Sequence, residues 1–136
     1  MMVLVDTSIW SVALRRTRQG LAPTQNRQVR LLQELISEGR AQLLGVVRQE
    51  LLSGIRHPEQ FARLREHLRS FPDVVLDRED YERAAEMSNA CRAQGVSGGS
   101  TDFLICSVAA SRDWTIYTSD RDFERYGRYL PFTLYQ

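Results

Sequence analysis

The chain has 136 residues, of which 43% are hydrophobic and 26% are charged. This length suits one globular domain, and the balance of apolar and charged residues excludes a disordered tail or a fibrous repeat. The apolar runs are far shorter than the roughly 20 residues of a membrane-spanning helix, and Asp6 interrupts the N-terminal run too early for a signal peptide. We therefore expect one domain over residues 1–136, a cytoplasmic location and no membrane partner.

The basic residues are unusual because all 18 are arginines, and the formal net charge is only +1. A near-neutral chain lacks the strong basic footprint of many nucleic-acid-binding proteins. The planar guanidinium nevertheless suits phosphate, although most of these arginines fall on predicted helices, where a solvated helix face is the simpler explanation. Charge alone therefore leaves a nucleic-acid partner open.

Five short segments have the pattern of strands, and the first is an apolar run with a β-branched bias. In chain order they are residues 2–5, 41–44, 74–76, 114–118 and 132–134. Helical patterns lie between them, starting near Ile9, at Thr24 as N-cap, near Val46, near Phe61, at Asp77, near Thr101 and at Asp122. This alternation predicts a three-layer α/β fold with a mainly parallel sheet, because parallel strands need crossover connections over one face or the other.

Acidic residues follow two of the predicted strands, at the edge of the sheet where such folds bind ligands. Asp6 comes directly after the first strand, and Asp120 and Asp122 come just after the fourth. Glu50 lies beside the apolar stripe of its helix, where a carboxylate needs a partner. Asp102 lies in the first turn of another helix. We expect these carboxylates to gather near the strand ends.

Each of these residues also has a purely structural explanation. Asp6 can cap the first helix, and Asp102 can interact with its helix dipole. Asp120 and Asp122 can form a turn, and Glu50 can be a surface residue if its helix is displaced by a few positions. Their conjunction favours a site, because clustered carboxylates repel each other when empty and offer the hard oxygen ligands that select Mg²⁺ or Mn²⁺.

The histidines and cysteines offer little competing chemistry. His57 and His67 lie ten residues apart around a helix break, without the context of a histidine-based ribonuclease. Cys91 and Cys106 fall within helical patterns and far from a CxxC spacing, which predicts buried, reduced packing residues.

Four motifs occur in order along the chain. They are Val-Asp-Thr-Ser at 5–8, Val-Val-Arg-Gln-Glu-Leu-Leu-Ser-Gly at 46–54, Asp-Phe-Leu-Ile-Cys-Ser-Val-Ala-Ala at 102–110 and Thr-Ser-Asp-Arg-Asp-Phe at 118–123. This set resembles PIN-domain ribonucleases, especially VapC-like toxins of type II toxin–antitoxin systems, and covers essentially the whole chain. The resemblance implies a single PIN domain with a PIN-like three-layer α/β/α fold and a central, mainly parallel five-stranded sheet. It also implies a Mg²⁺ or Mn²⁺ site and hydrolysis of RNA by a metal-activated water.

The resemblance assigns roles to individual residues. The implied metal ligands are Asp6, Glu50, Asp102, Asp120 and Asp122, of which the first four are also the implied catalytic residues. Whether Asp120 or Asp122 is the direct ligand stays open. Thr7 and Thr118 match polar positions that support the cluster through hydrogen bonds. Two departures affect the expected groove: Cys106-Ser107 replaces small alanines, and residues 97–100 are rich in glycine and serine.

The same resemblance implies a VapB-like antitoxin partner and a homodimer. Three alternatives differ in function. A non-catalytic PIN-like RNA-binding or interaction module would be expected to have lost acidic residues, and a phosphoacceptor receiver domain would need a lysine that this chain lacks. A metal-dependent phosphoesterase acting on another substrate shares the ligand chemistry, and the sequence leaves it open.

Overall fold

The computed structural model describes residues 1–14 and 20–136. Its strands are β1 (Val3–Val5), β2 (Ala41–Gln42), β3 (Thr115–Tyr117) and β4 (Thr133–Leu134). Its helices are α1 (Thr7–Ala13), α2 (Pro23–Ser37), α3 (Gly45–Leu52), α4 (Pro58–Leu68), α5 (Arg78–Ala93), α6 (Ser100–Arg112) and α7 (Asp122–Tyr126). The described strands form one parallel sheet in the order β2-β1-β3-β4.

Strand β1 is buried on both of its faces. The side chains of Val3, Leu4 and Val5 are all 0% exposed, although successive side chains point to opposite faces of a sheet. Helices must therefore cover both faces, which confirms the predicted three-layer α/β/α architecture. No helix among residues 1–14 and 20–136 has both the length and the apolar character needed to cross a membrane.

The prediction of a strand at residues 74–76 is wrong, so the described sheet has four strands instead of five. Among the described residues, pairing at this edge is limited to one parallel bridge between Leu43 and Asp73. Pro72 has no amide to donate to a ladder. The carbonyl of Val75 instead accepts a hydrogen bond from Arg112 Nη2 at 2.8 Å. Val75 itself is 84% exposed.

Several helices begin one to three residues before their predicted positions; α4, for example, begins at Pro58 and not near Phe61. Helix α1 begins at Thr7, before Ile9, because Asp6 is its N-cap. The part of the predicted helix at residues 15–19 lies outside the described residues. Thr24 does not cap α2, which begins one residue earlier, at Pro23. The Ala22 amide donates to Gln25 Oε1 at 3.0 Å, and proline suits the first helical position because its φ is already helical.

Both cysteines are free and buried, as the sequence predicted. Burial raises the pKa of the Cys91 and Cys106 thiols, so both remain protonated packing residues. The neighbouring Ser107 also has a structural use, since its hydroxyl donates to the Asp80 carbonyl at 2.7 Å. The departure at Cys106-Ser107 therefore contributes to the contact between α6 and α5.

A buried carboxylate joins these two helices more strongly. Asp80 of α5 is 2% exposed and receives both terminal nitrogens of Arg112 from α6, at 2.9 and 3.0 Å. Arg83 Nη1 adds a third contact at 3.3 Å. The Arg112 guanidinium holds the pKa of Asp80 well below its usual range. Asp80 is therefore a fully compensated structural charge.

We expect Asp80→Asn to lower the free energy of unfolding at pH 7 by about 3 kcal/mol, because it leaves two arginines without their buried partner. A carboxyl with a lowered pKa stabilises the fold above its unfolded pKa of about 4, and this contribution is lost as pH falls further. The difference between variant and wild type should therefore shrink below that pH.

Urea unfolding measures this effect, with Glu66→Gln as the control. Glu66 pairs with Arg69 at 3.6 Å on α4, and its side chain is 77% exposed, so its loss should cost less than about 1 kcal/mol. Equal costs for the two variants would contradict the role assigned to Asp80.

Candidate metal centre

The pairing of β1 with β3 brings two polar segments together. The strands are parallel and in register, with Val3 opposite Thr115 and Leu4 opposite Ile116. The residues that follow the strands, Asp6 and Thr118, therefore lie side by side. Thr118 Oγ1 donates to Asp6 Oδ2 at 2.8 Å, across 112 positions of sequence.

Asp6 is held in place by hydroxyl groups and is 5% exposed. Its Oδ2 also accepts hydrogen bonds from the hydroxyl and amide of Ser8, at 2.8 and 3.4 Å. The Ser8 hydroxyl in turn accepts the Ser119 amide at 3.0 Å. Oδ1 has no hydrogen-bond partner among the described residues and remains available as a ligand atom. Ser8 was not assigned a site role from sequence, although it stands within the Val-Asp-Thr-Ser motif.

Three further carboxylates converge nearby. Asp102 lies in the first turn of α6, and Asp120 and Asp122 follow β3. One oxygen of each lies within 4.8 Å of the other two, and all three residues are half-buried. The loop is shaped by its own hydrogen bonds: the Asp120 amide donates to Thr118 Oγ1 at 3.0 Å, and the Asp122 amide donates to Asp120 Oδ1 at 2.9 Å.

The Asp102 carboxyl has a strongly altered environment. Its pKa is raised to about 6, mainly by burial and in addition by the charges of Asp6, Asp120 and Asp122, against a lowering hydrogen bond from Tyr126. This hydroxyl donates to Asp102 Oδ2 at 2.7 Å. Burial and the bond to Asp102 raise the pKa of Tyr126, so the hydroxyl stays a donor. Sequence reasoning missed Tyr126, which has no motif of its own.

Glu50 lies outside the triad of Asp102, Asp120 and Asp122. It stands near the end of α3 and is exposed, whereas its pattern predicted the edge of a buried face. Its Oε2 accepts a hydrogen bond from Thr7 Oγ1 at 3.2 Å. Since Thr7 follows Asp6 directly, this bond brings Glu50 to the start of α1, on the Asp6 side of the cluster.

The cluster carries charge that the protein itself does not cancel. Within the described residues, its one ion pair joins Asp122 to Arg125 at 3.5 Å, and both side chains are about half exposed. The donors to Asp6, Glu50 and Asp102 are neutral hydroxyls and one amide. Hard oxygen donors with uncompensated charge fit a divalent cation such as Mg²⁺ or Mn²⁺. Whether each predicted residue binds metal stays a prediction.

We expect Asp102→Asn to stabilise the metal-free protein at pH 7.5. A carboxyl whose folded pKa is about 6 destabilises the fold as it ionises, because its unfolded pKa is near 3.9. Wild-type stability should therefore fall as pH rises from about 4 through 6, and Asn removes this loss. In thermal unfolding with EDTA, the Tm of the variant should exceed that of the wild type by at least about 2 °C at pH 7.5. The two Tm values should converge near pH 4.5. An unchanged Tm at pH 7.5 would contradict the raised pKa.

Several solved structures have a fold similar to that of this chain. FitAcB from Neisseria gonorrhoeae is similar with a TM-score of 0.76 at 20% identity, covering 99% of this chain and 97% of that chain. VapBC2 from Rickettsia felis, bound to a DNA fragment from its promoter, is similar with a TM-score of 0.76 at 19% identity. The match covers 99% of this chain and 98% of that chain. VapBC-5 from Mycobacterium tuberculosis, a member of the VapBC family of toxin–antitoxin systems, is similar with a TM-score of 0.60 at 20% identity. The match covers 91% of this chain and 90% of that chain.

These identities are low, so the structural similarities establish the fold alone. A sequence search of curated proteins finds no match. The family model described as the PIN domain matches residues 3–129. The resemblance expected from the four sequence motifs is thereby confirmed. Because this match extends over nearly the whole chain and the fold agrees with it, the chain belongs to the PIN domain family.

Proposed function

We propose that this chain is a Mg²⁺- or Mn²⁺-dependent endoribonuclease, the toxin component of a VapBC-type module. The observation that carries the proposal is the convergence of Asp102, Asp120 and Asp122 within 4.8 Å, on a PIN domain. Three carboxylates this close would repel each other strongly in a half-buried site unless a cation bound between them. Their donor chemistry selects a hard divalent metal.

The residues divide into binding and supporting roles. Asp102, Asp120 and Asp122 would hold the cation, together with Asp6. When bound, the metal supplies an activated water and offsets the negative charge of the phosphodiester. Thr118 orients Asp6 through its hydroxyl.

Glu50 is suited to a different task. It is exposed, and Thr7 holds its Oε2 while Oε1 can accept a proton from the attacking water. We therefore assign Glu50 a catalytic role as proton acceptor, in addition to the ligand role that the motif implies. In either role, Thr7 limits the rotation of the carboxylate.

RNA is the proposed substrate because the four motifs resemble those of VapC-like ribonucleases. We further propose a VapB-like antitoxin as partner, a homodimer, a cytoplasmic location and a single PIN domain over residues 1–136. The solved relatives support the antitoxin proposal, since FitAcB and the VapBC structures share the fold. Exposed Arg121, between two of the site aspartates, is available to contact phosphate.

Two alternatives remain distinct outcomes of the test. A phosphoesterase acting on another substrate would share the same ligand set. A non-catalytic PIN-like RNA-binding or interaction module would share the fold, but all five acidic positions are filled in this chain, which favours catalysis.

We expect the purified protein to cleave a mixed RNA pool with Mg²⁺ or Mn²⁺ and not with EDTA. Asp6→Asn, Glu50→Gln and Asp102→Asn should each lower the rate by about 100-fold or more, because each removes a charge that acts on the metal or the water. Gel analysis of the cleaved RNA measures the rates.

Glu66→Gln is the control, since this exposed carboxylate lies on α4 and pairs with Arg69. It should cleave at the wild-type rate. Full activity in all three site variants, or in EDTA, would contradict the proposed site. Metal binding without RNA cleavage would favour another phosphoester substrate, and absence of metal binding would favour the interaction module.

A further inference from the structure

Tyr126 is fixed by its surroundings. The residue is 0% exposed, and its ring packs against Phe103, with centroids 4.9 Å apart, and against Phe123, at 5.3 Å. Phe103 is the neighbour of Asp102 on α6, and Phe123 follows Asp122 on α7. Tyr126 itself ends α7, so its ring packs against α6, the helix that carries Asp102, and against its own helix, which begins at Asp122. This packing limits the movement of its hydroxyl away from Asp102.

The backbone of Gly98 lies directly against the Tyr126 hydroxyl. A Cβ at this position would overlap the Tyr126 hydroxyl and would lie 2.6 Å from the ring carbon Cζ and 2.9 Å from Cε1. Real side-chain atoms do not approach this closely, so any larger residue would displace the buried ring. The glycine-rich segment at residues 97–100, a departure from the family motifs, thus permits the chain to pass directly over the tyrosine hydroxyl.

We propose that Tyr126, seated by Gly98, is a positioning residue that holds the Asp102 carboxylate against Asp120 and Asp122 for cation binding. This inference rests on the proposed function. A carboxylate surrounded by like charges would otherwise rotate away from them. A hydrogen bond to one oxygen opposes that rotation and leaves the other oxygen to serve as ligand. The donor is a neutral hydroxyl, so it orients Asp102 without neutralising the charge that attracts the metal.

Tyr126→Phe tests the inference, because it removes the hydroxyl and keeps the buried ring. We expect the affinity for Mn²⁺, measured by calorimetry or by the electron paramagnetic resonance of free Mn²⁺, to fall about 10-fold. Tyr117→Phe is the matched control. Its hydroxyl also makes one hydrogen bond, to the Gln28 carbonyl at 2.9 Å, outside the acidic cluster. This control should keep the wild-type affinity, even if both variants lose similar thermal stability in EDTA.

Gly98→Ala provides an independent test of the same contact. It should weaken Mn²⁺ binding by displacing the hydroxyl. Combined with Tyr126→Phe it still crowds the ring carbons Cζ and Cε1, but no hydroxyl is left to displace, so it should weaken binding little further. Multiplicative effects of the two substitutions would contradict the inference, because they would show that each acts by a separate route.

The two levels of the hypothesis fail differently. Equal Mn²⁺ affinity of wild type and Tyr126→Phe, with binding abolished by Asp102→Asn, would overturn the positioning role and leave the metal site intact. An equal loss of affinity in Tyr126→Phe and Tyr117→Phe would reduce Tyr126 to a packing residue. A wild-type protein that binds no Mn²⁺ would overturn the proposed function together with this inference.

Discussion

The parallel pairing of β1 with β3 is the constraint on which the candidate site depends. Parallel strands end at the same edge of a sheet, so the residues after each strand become neighbours whatever their distance in sequence. This pairing sets Asp6 beside Thr118, and the loop after Thr118 then carries Asp120 and Asp122 toward α6. The main-chain pairing continues one residue beyond β1, because the Asp6 amide donates to the Tyr117 carbonyl at 2.9 Å.

The buried and half-buried carboxylates of this protein have two different kinds of hydrogen-bond partner. Asp80 is buried against Arg112 and Arg83, which cancel its charge and lower its pKa. Asp6 and Asp102 receive hydrogen bonds mainly from hydroxyl groups, which orient a carboxylate and leave its charge in place. Asp80 therefore stabilises the fold, whereas the cluster stores repulsion that a cation can relieve. This contrast distinguishes the structural carboxylate of Asp80 from the carboxylates of the candidate site more clearly than burial does.

Support for the site comes from several elements of the chain. Ser8 and Thr7 belong to α1, Thr118 follows β3, and Tyr126 belongs to α7. Ser8 and Thr118 both donate to Asp6 Oδ2, whereas Thr7 donates to Glu50 and Tyr126 donates to Asp102. A displacement of any of these elements would therefore change the orientation of an acidic group, so the geometry of the site depends on the packing of the whole core.

The sequence by itself determined the alternation of strands and helices, the acidic residues and their order, because apolar periodicity and short motifs are local properties of the chain. It also indicated Thr7 and Thr118 as supporting residues. Tertiary structure decided that Asp102, Asp120 and Asp122 form the closest group, that Glu50 stays exposed beside Thr7, and that Tyr126 reaches Asp102. It also left residues 74–76 outside the sheet, where Arg112 takes the Val75 carbonyl. These outcomes depend on contacts between residues far apart in the chain, which no local pattern encodes.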